Sequence, residues 1–276
     1  MKQRWLSGPY LIWMALFIIV PMFMVGFHAF TKTVGGETVF SIDGFRDTFG
    51  HDGMYLGVMW RSVRVAAIST VICLLLGYPV AYILASREYS LKTTLVFLFA
   101  VPMWINYLLR TYAWLTLLET NGVLNNILGR LNLPSVNILY TEGAVMLGMV
   151  YNFLPFMILP IRTSLGKIDY SLIESAQDLG ANPLTVFRRV VLPLSIPGVI
   201  SGITMVFMPA ATTFVIPTLL GGGQYIMIGN LIERQFLLAR DWNFGASLSL
   251  ILMVVILVSM AFINKVDKDD VGGTLM

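Results

Sequence analysis

Six stretches of this chain run about as long as a bilayer is thick, roughly 20 residues each, without a single Asp, Glu, Lys or Arg. They are Tyr10 to Phe30, Val65 to Ser86, Thr94 to Leu109, Gly143 to Ile161, Ile196 to Leu220 and Gly245 to Asn264. Water cannot solvate such segments, and the chain has little charge with which to hide them: 57% of its residues are hydrophobic and 12% charged. A soluble domain carries about 25% charged residues. The expected fold is therefore an all-α integral membrane protein with six transmembrane helices.

The third stretch is the shortest, but Arg110 can snorkel and the apolar pattern resumes through Tyr112, Trp114 and Leu118, so the helix is expected to run longer. The first follows Lys2 and Arg4 as a signal peptide would, yet it exceeds the 7–15 residues of a signal core and has no small-x-small cleavage site, so it reads as a retained helix. An even number of crossings places both termini on one side. Segments 1–9, 87–93, 162–195 and 265–276 hold Lys2, Arg4, Arg87, Lys92, Arg162, Lys167, Arg188, Arg189, Lys265 and Lys268. The opposite, longer loops hold the remainder, a bias that puts both termini in the cytoplasm.

Absences narrow the function. Carriers driven by protons or sodium commonly hold an ionisable side chain at mid-membrane, and none lies in these six cores. No GxxxxGK[ST] phosphate loop occurs either, so nucleotide chemistry must belong to another chain. A net charge of +3 is too small for nucleic acid to be a partner. Cys73 is the only cysteine, and His28 and His51 are far apart, so no metal site is expected. An intramembrane enzyme fails on the same inventory. A stand-alone carrier or passive pore is the remaining rival, and it predicts transport by this chain alone without ATP.

The cytoplasmic segment 162–195 has more local structure than a linker needs. Ser171 with Glu174 three residues on forms a capping box that would start a helix at Ser171, with Leu172, Ala176 and Leu179 on one face and Gly180 ending it in a left-handed turn. Asn182-Pro183 reads as the cap and first residue of a second helix, carrying Leu184, Phe187 and Val191 on one side and Arg188 and Arg189 beside them, until Leu192-Pro193 breaks it. Two short helices with apolar faces on a membrane surface require a partner.

Glu174-Ser175-Ala176, Gly180, and Val190-Val191-Leu192-Pro193 together resemble the E-A-A-x3-G-x9-I-x-L-P signature of permease subunits of bacterial ABC importers, with Ser175 and Val190 as mild departures. The resemblance implies the type I importer permease fold and a loop seated on a separate ATPase. The implied contact residues are Ser171, Glu174, Ser175, Ala176, Asp178, Gly180, Phe187, Arg188, Leu192 and Pro193. Capping roles for Glu174 and Gly180 are compatible with that use. The implied partners are a second homologous permease, a homodimeric ABC ATPase that holds the ATP and Mg, an extracytoplasmic binding protein and the lipid bilayer. No cofactor or metal is expected in this chain.

Gly77-Tyr78-Pro79, Val101-Pro102-Met103-Trp104, Arg110-Thr111-Tyr112, Gly229-Asn230-Leu231-Ile232 and Arg240-Asp241-Trp242-Asn243-Phe244-Gly245 are similar to the permeases of polyamine importers, over nearly the whole chain and least at residues 31–58 and 265–276. The resemblance implies spermidine or putrescine as substrate; another cationic amine, iron or thiamine are the alternatives among sister families. Aromatics, amides and hydroxyls suit a polycation that must pass without being trapped. The pathway candidates are Trp104, Asn106, Tyr107, Tyr151, Asn152, Pro209, Thr212 and Thr213, with Glu119, Glu142, Glu233 and Asp241 at the mouths. Interface anchoring explains the aromatics equally well. Pro209 is expected mid-helix, as a hinge or a source of a free carbonyl. Gly198 and Gly202 allow close helix approach, as packing or as mechanism. The expected organisation is an N-terminal helix and extracytoplasmic segment (1–60), a five-helix core (61–264) and a short cytoplasmic tail (265–276).

Overall fold

A computed structural model describes residues 8–35, 37–50, 53–85 and 101–273. The elements are α1 (Pro9–Ala29), β1 (Thr31–Val34), β2 (Glu37–Phe40), α2 (Asp43–Gly50), α3 (Met54–Ala85), α4 (Tyr107–Leu118), α5 (Val123–Arg130), α6 (Glu142–Leu165), α7 (Tyr170–Asp178), α8 (Pro183–Thr212), α9 (Val215–Leu220), α10 (Ile228–Arg234) and α11 (Trp242–Gly273). Five of these, α1, α3, α6, α8 and the Trp242–Ile263 part of α11, are long and apolar enough to cross a membrane. The expected third span falls partly on residues 94–100, which lie outside the described set. The rest of it is interrupted: residues 101–104 are helical, the chain opens at Ile105, and α4 starts afresh at Tyr107.

The helices start and stop where pairing of their end groups dictates, which is not where hydropathy changes. Helix α3 begins at Met54, well before the expected Val65, and carries Arg61 and Arg64 in its early turns. Helix α8 also begins early, at Pro183. It does not break at Leu192-Pro193 as expected: residues Phe187–Val191 form a π turn, in which Leu192 N–H reaches back to Phe187 O, and the helix runs on through Pro193. The wider turn relieves the clash between the proline ring and the carbonyl one turn behind. At its far end α8 stops at Thr212, and Val215–Leu220 is a separate helix, so the expected span to Leu220 is divided.

The chain forms two compact units. The first holds residues 1–60 and 227–257. There Asn243 at the start of α11 closes the end of α1: its Nδ2 donates to the carbonyls of His28, Ala29 and Thr31 at 3.0–3.2 Å, and its Oδ1 accepts from Gly44 N–H at 3.1 Å. Ser247 Oγ adds a bond to Ala29 O at 3.2 Å. Carbonyls left over at a helix end are costly to bury, and one asparagine amide reaches two of them together with the Thr31 carbonyl of β1. Around Met59, Ile228, Phe244, Leu248 and Leu252 lies the apolar core of this unit. The hairpin pairs Thr31 with Phe40 and Val34 with Glu37.

The second unit, residues 61–226 and 258–276, is organised on α6 packed against α8. Two glycines set the spacing. A Cβ on Gly198 would lie 2.5 Å from Ser164 Cβ and 2.8 Å from Pro160 O, and one on Gly202 would lie 2.7 Å from Met157 Sδ. The opposite side of α6 takes α3, where a Cβ on Gly77 would lie 3.1 Å from Met157 Cγ. Met149, Met157, Ile158 and Ile161 are consequently buried, although α6 is apolar on most sides. Gly198→Leu should force α6 and α8 apart and cost about 3 kcal/mol, the upper range for an overpacked core. Thermal unfolding of the detergent-solubilised protein, compared with Ser201→Leu on the exposed side of α8, checks it.

Candidate functional site

The loop between α6 and α8 is built as two capped helices. Asp169, not Ser171, caps α7: its Oδ1 accepts from Ser171 N–H at 3.0 Å, and the helix runs Tyr170–Asp178. The expected capping box is therefore displaced, and Glu174 lies exposed in the middle of the helix. Asp169 was visible in the sequence as a preferred cap residue two positions earlier. The C-terminal expectation holds. Gly180 adopts φ +82°, its N–H bonds Gln177 O at 2.8 Å, and Ala181 N–H bonds Ala176 O at 3.0 Å. These two bonds define a Schellman turn. Asn182 Oδ1 then accepts from Thr185 N–H at 2.8 Å, with Pro183 at the first helical position, as expected.

The two helices expose apolar side chains with nothing over them among the described residues: Leu172, Leu184, and Leu179, which is 89% exposed. Ser171, Glu174, Ser175, Asp178, Gly180, Arg188, Leu192 and Pro193 are exposed with them, and Ala176 partly so. Phe187 belongs to the other side. Its ring meets Tyr78 and Tyr82 of α3 edge-on, at 5.9 and 5.8 Å between centroids. Tyr78 Oη lies 2.8 Å from Ser195 Oγ, which itself donates to Leu192 O. The correction is physical: Phe187 faces inward and, with buried Val186 and Val191, fastens the loop to the helices beneath it.

Of the pathway candidates, Tyr107 and Thr213 are brought together, hydroxyl to hydroxyl at 3.0 Å, tying the start of α4 to the end of α8. Trp104 is 74% exposed, and Tyr151 packs its ring on Trp114 at 5.2 Å. Asn106 is the N-cap of α4, accepting from Leu108 N–H at 2.8 Å, which supplies a structural reason for an amide there. Asn152 is buried in α6 with Nδ2 on Gly148 O at 2.9 Å, and its Oδ1 has no partner among the described residues. Pro209 lies in the last turn of α8, not at its middle; its carbonyl takes the Thr213 N–H that ends the helix, and Thr212 Oγ1 bonds back to Met208 O.

Among the mouth candidates, Glu119 is exposed at the end of α4. Glu233 and Asp241 belong to the first unit, where Asp241 Oδ1 accepts from Phe244 N–H at 3.0 Å and caps α11. Glu142 is committed to a partner that sequence reading overlooked: both of its oxygens accept from Arg64 Nη2 at 2.8 Å. Arg61, one turn earlier on α3, lies over the Tyr225 ring at 5.4 Å. The Tyr225 hydroxyl is buried beside this pair, and burial followed by the adjacent Glu142 carboxylate pushes its pKa up to about 12, against a downward pull from Arg64 and Arg61. Two arginines spaced i, i+3 at the start of a membrane helix were the available signal.

Residues 77–269 match the family described as binding-protein-dependent transport system inner membrane component. The chain is 39% identical over 249 residues to the spermidine/putrescine transport system permease protein PotB of Escherichia coli strain K12, covering 88% of this chain and 90% of that protein. It is 37% identical over 262 residues to PotB of Haemophilus influenzae, covering 93% and 91%. Among solved structures, it superposes on a chain of a bacterial ABC transporter involved in import of the acidic polysaccharide alginate with a TM-score of 0.80 and 20% identity, over 97% of this chain and 96% of that one. That likeness is one of fold.

Gly180 stands in open space, so replacing it tests the backbone alone. Gly180→Ala should cost about 1–2 kcal/mol of loop stability through its left-handed φ, and Gly180→Asn less. Hydrogen exchange at the Gly180 and Ala181 amides should quicken accordingly.

Proposed function

The chain belongs to the family of binding-protein-dependent transport system inner membrane components, and we propose that it is one of two permease subunits of an ATP-driven importer of polyamines. The single observation that carries this reading is the conjunction of the capped two-helix loop, with its exposed leucines, and 37–39% identity to permeases named for spermidine and putrescine. The chain is a multi-pass membrane protein of a family that is not itself catalytic. In this proposal it makes no covalent bond and binds no nucleotide; a homodimeric ATPase carrying ATP and Mg seats Leu172, Leu179 and Leu184 in its surface from the cytoplasm.

The local geometry favours such a lever. The Schellman turn and the Asn182 cap fix the two short helices to each other, and the π turn carries α8 without a break from the loop into the membrane. Phe187 grips α3 at the same level. Closure of the ATPase would move the loop, and with it α8, α3 and the tightly packed α6. The pathway would then open outward to accept a polyamine from an extracytoplasmic binding protein, and hydrolysis would return it inward. The path runs along a second, homologous permease. Both termini lie in the cytoplasm, on the side of the loop.

The absence of a carboxylate in the spanning cores suits weak, transient contact with a polycation, with affinity left to the binding protein. Asn152 Oδ1, buried in α6 without a partner among the described residues, and the Tyr107–Thr213 hydroxyl pair just beyond the end of α8 are the polar groups that suit such contact.

With the complete complex in proteoliposomes, binding protein loaded with spermidine or putrescine should stimulate ATP hydrolysis and uptake together. Stimulation only by another solute would remove the polyamine reading, and transport by this chain alone without ATP would remove the importer. Leu179→Glu puts a charge where an apolar seat is proposed. It should lower uptake at least tenfold, leaving the amount of membrane-inserted protein unchanged on quantitative blots.

A further inference from the structure

Helix α6 runs from Glu142 to Leu165, where the coupling loop begins, so Glu142 marks the end of α6 away from the ATPase, where a delivered substrate enters. Two cation-attracting features meet there: a carboxylate in the first turn of a helix and an aromatic ring. Both cation positions are filled by the chain itself, Arg64 on the carboxylate and Arg61 on the ring. The two arginines are i, i+3 on one helix, which spaces their Cβ atoms by about 5–6 Å, the length scale of a short alkyl diamine. The chain's own side chains thus reproduce two positive charges joined by an apolar spacer.

We propose that the Glu142 carboxylate and the Tyr225 ring form a two-point site for a diammonium substrate, and that Arg64 and Arg61 occupy it until substrate displaces them. The proposal rests on the polyamine reading and adds an entry site to it. An ammonium on Glu142 gains a charge-assisted hydrogen bond, and its neighbour gains the ring face. Displacement is cheap because the resident pair is open to water, with side chains 49% and 30% exposed. An ion pair that exposed is worth a factor of about five at most in an equilibrium constant.

The backbone around the site is held in shape independently of the arginines. Tyr140 adopts φ +66°, unusual for a residue with a side chain, and its N–H donates to Leu220 O at 2.8 Å. Its ring lies on Gly222, at φ +57°, so closely that no Cβ would fit. This clasp joins the turn before Glu142 to the turn before Tyr225, and strained residues of this kind persist where a fixed geometry is needed. The carboxylate and the ring therefore stay in register when the arginines leave.

The test uses the complete complex with its partner subunits, trapped with ATP and vanadate, and radiolabelled spermidine measured by equilibrium dialysis without the binding protein. Arg64→Ala, or Arg64→Gln should the alanine variant fail to assemble, removes the competitor and should tighten binding up to about fivefold, the worth of the exposed pair it breaks. Glu142→Gln should weaken it by a similar factor, Tyr225→Leu should weaken it several-fold, and Tyr225→Phe should leave it unchanged. An ion pair that is only structural predicts that the Arg64 and Glu142 variants move together; that outcome, or Tyr225→Leu binding as the parent does, overturns the site. Import of spermidine by a parent complex that binds none when trapped overturns the site alone. No import of spermidine by the parent overturns the polyamine reading and the site with it.

Discussion

The close contact of α6 with α8 is the constraint on which the second unit depends. Between helices in lipid there is no hydrophobic force of the kind that drives a soluble core, because the surroundings are as apolar as the side chains. What remains is dispersion over closely matched surfaces, and each such contact decays within a fraction of an ångström. Gly198 and Gly202 let the backbone of α8 reach Pro160, Ile161, Ser164 and Met157 directly. Met157 is shared, since α3 touches it through Gly77 on the other side. The small residues therefore fix three helices at once, and the loop is attached to all three.

That attachment gives the π turn its meaning. Proline in a helix usually produces a kink, and a kink at Pro193 would place a soft joint between the loop and the membrane. The π turn at Phe187–Val191 accommodates the ring and keeps the helix continuous, while Phe187 and Val191 point inward as anchors. The same five residues leave Arg188 and Arg189 at the surface. One local irregularity thus lets α8 continue, secures the loop below and presents a cationic edge above.

Much of the fold was legible because membrane burial acts on long windows: charge-free runs located five described spans, and cap chemistry located Gly180 and Asn182 to the residue. The errors have a common cause. Hydropathy reports where lipid is, whereas a helix continues until its end groups find other partners, so α3 starts at Met54 and α8 at Pro183, outside the apolar cores. Asp169 and Ser171 are equally good caps on paper, and the structure uses Asp169. The inward turn of Phe187 was not legible and the paired arginines Arg61 and Arg64 showed without their partners, since each contact joins residues more than 70 positions apart. Of the candidate pathway, sequence supplied residue types suited to the chemistry, but several of those residues have local duties that account for them: Asn106 caps α4, Asp241 caps α11, and Thr212 bonds its own helix.

The Arg64–Glu142 pair also bears on how a chain without intramembrane charge can admit a polycation. A bare carboxylate at the mouth would bind substrate tightly and release it slowly, because an attraction strong enough to gather cations is also a trap. A carboxylate already satisfied by an exposed arginine offers only the difference between two similar ion pairs, and a small difference allows both entry and departure. The reach of that arrangement is short, since screening at physiological salt limits it to about 8 Å. Beyond that distance hydroxyls, amides and aromatic faces attract an ammonium more weakly still. Charge is therefore balanced at the start of α6, absent from the apolar cores, and concentrated again on the loop that follows α6, where Glu174, Asp178, Arg188 and Arg189 surround the exposed leucines.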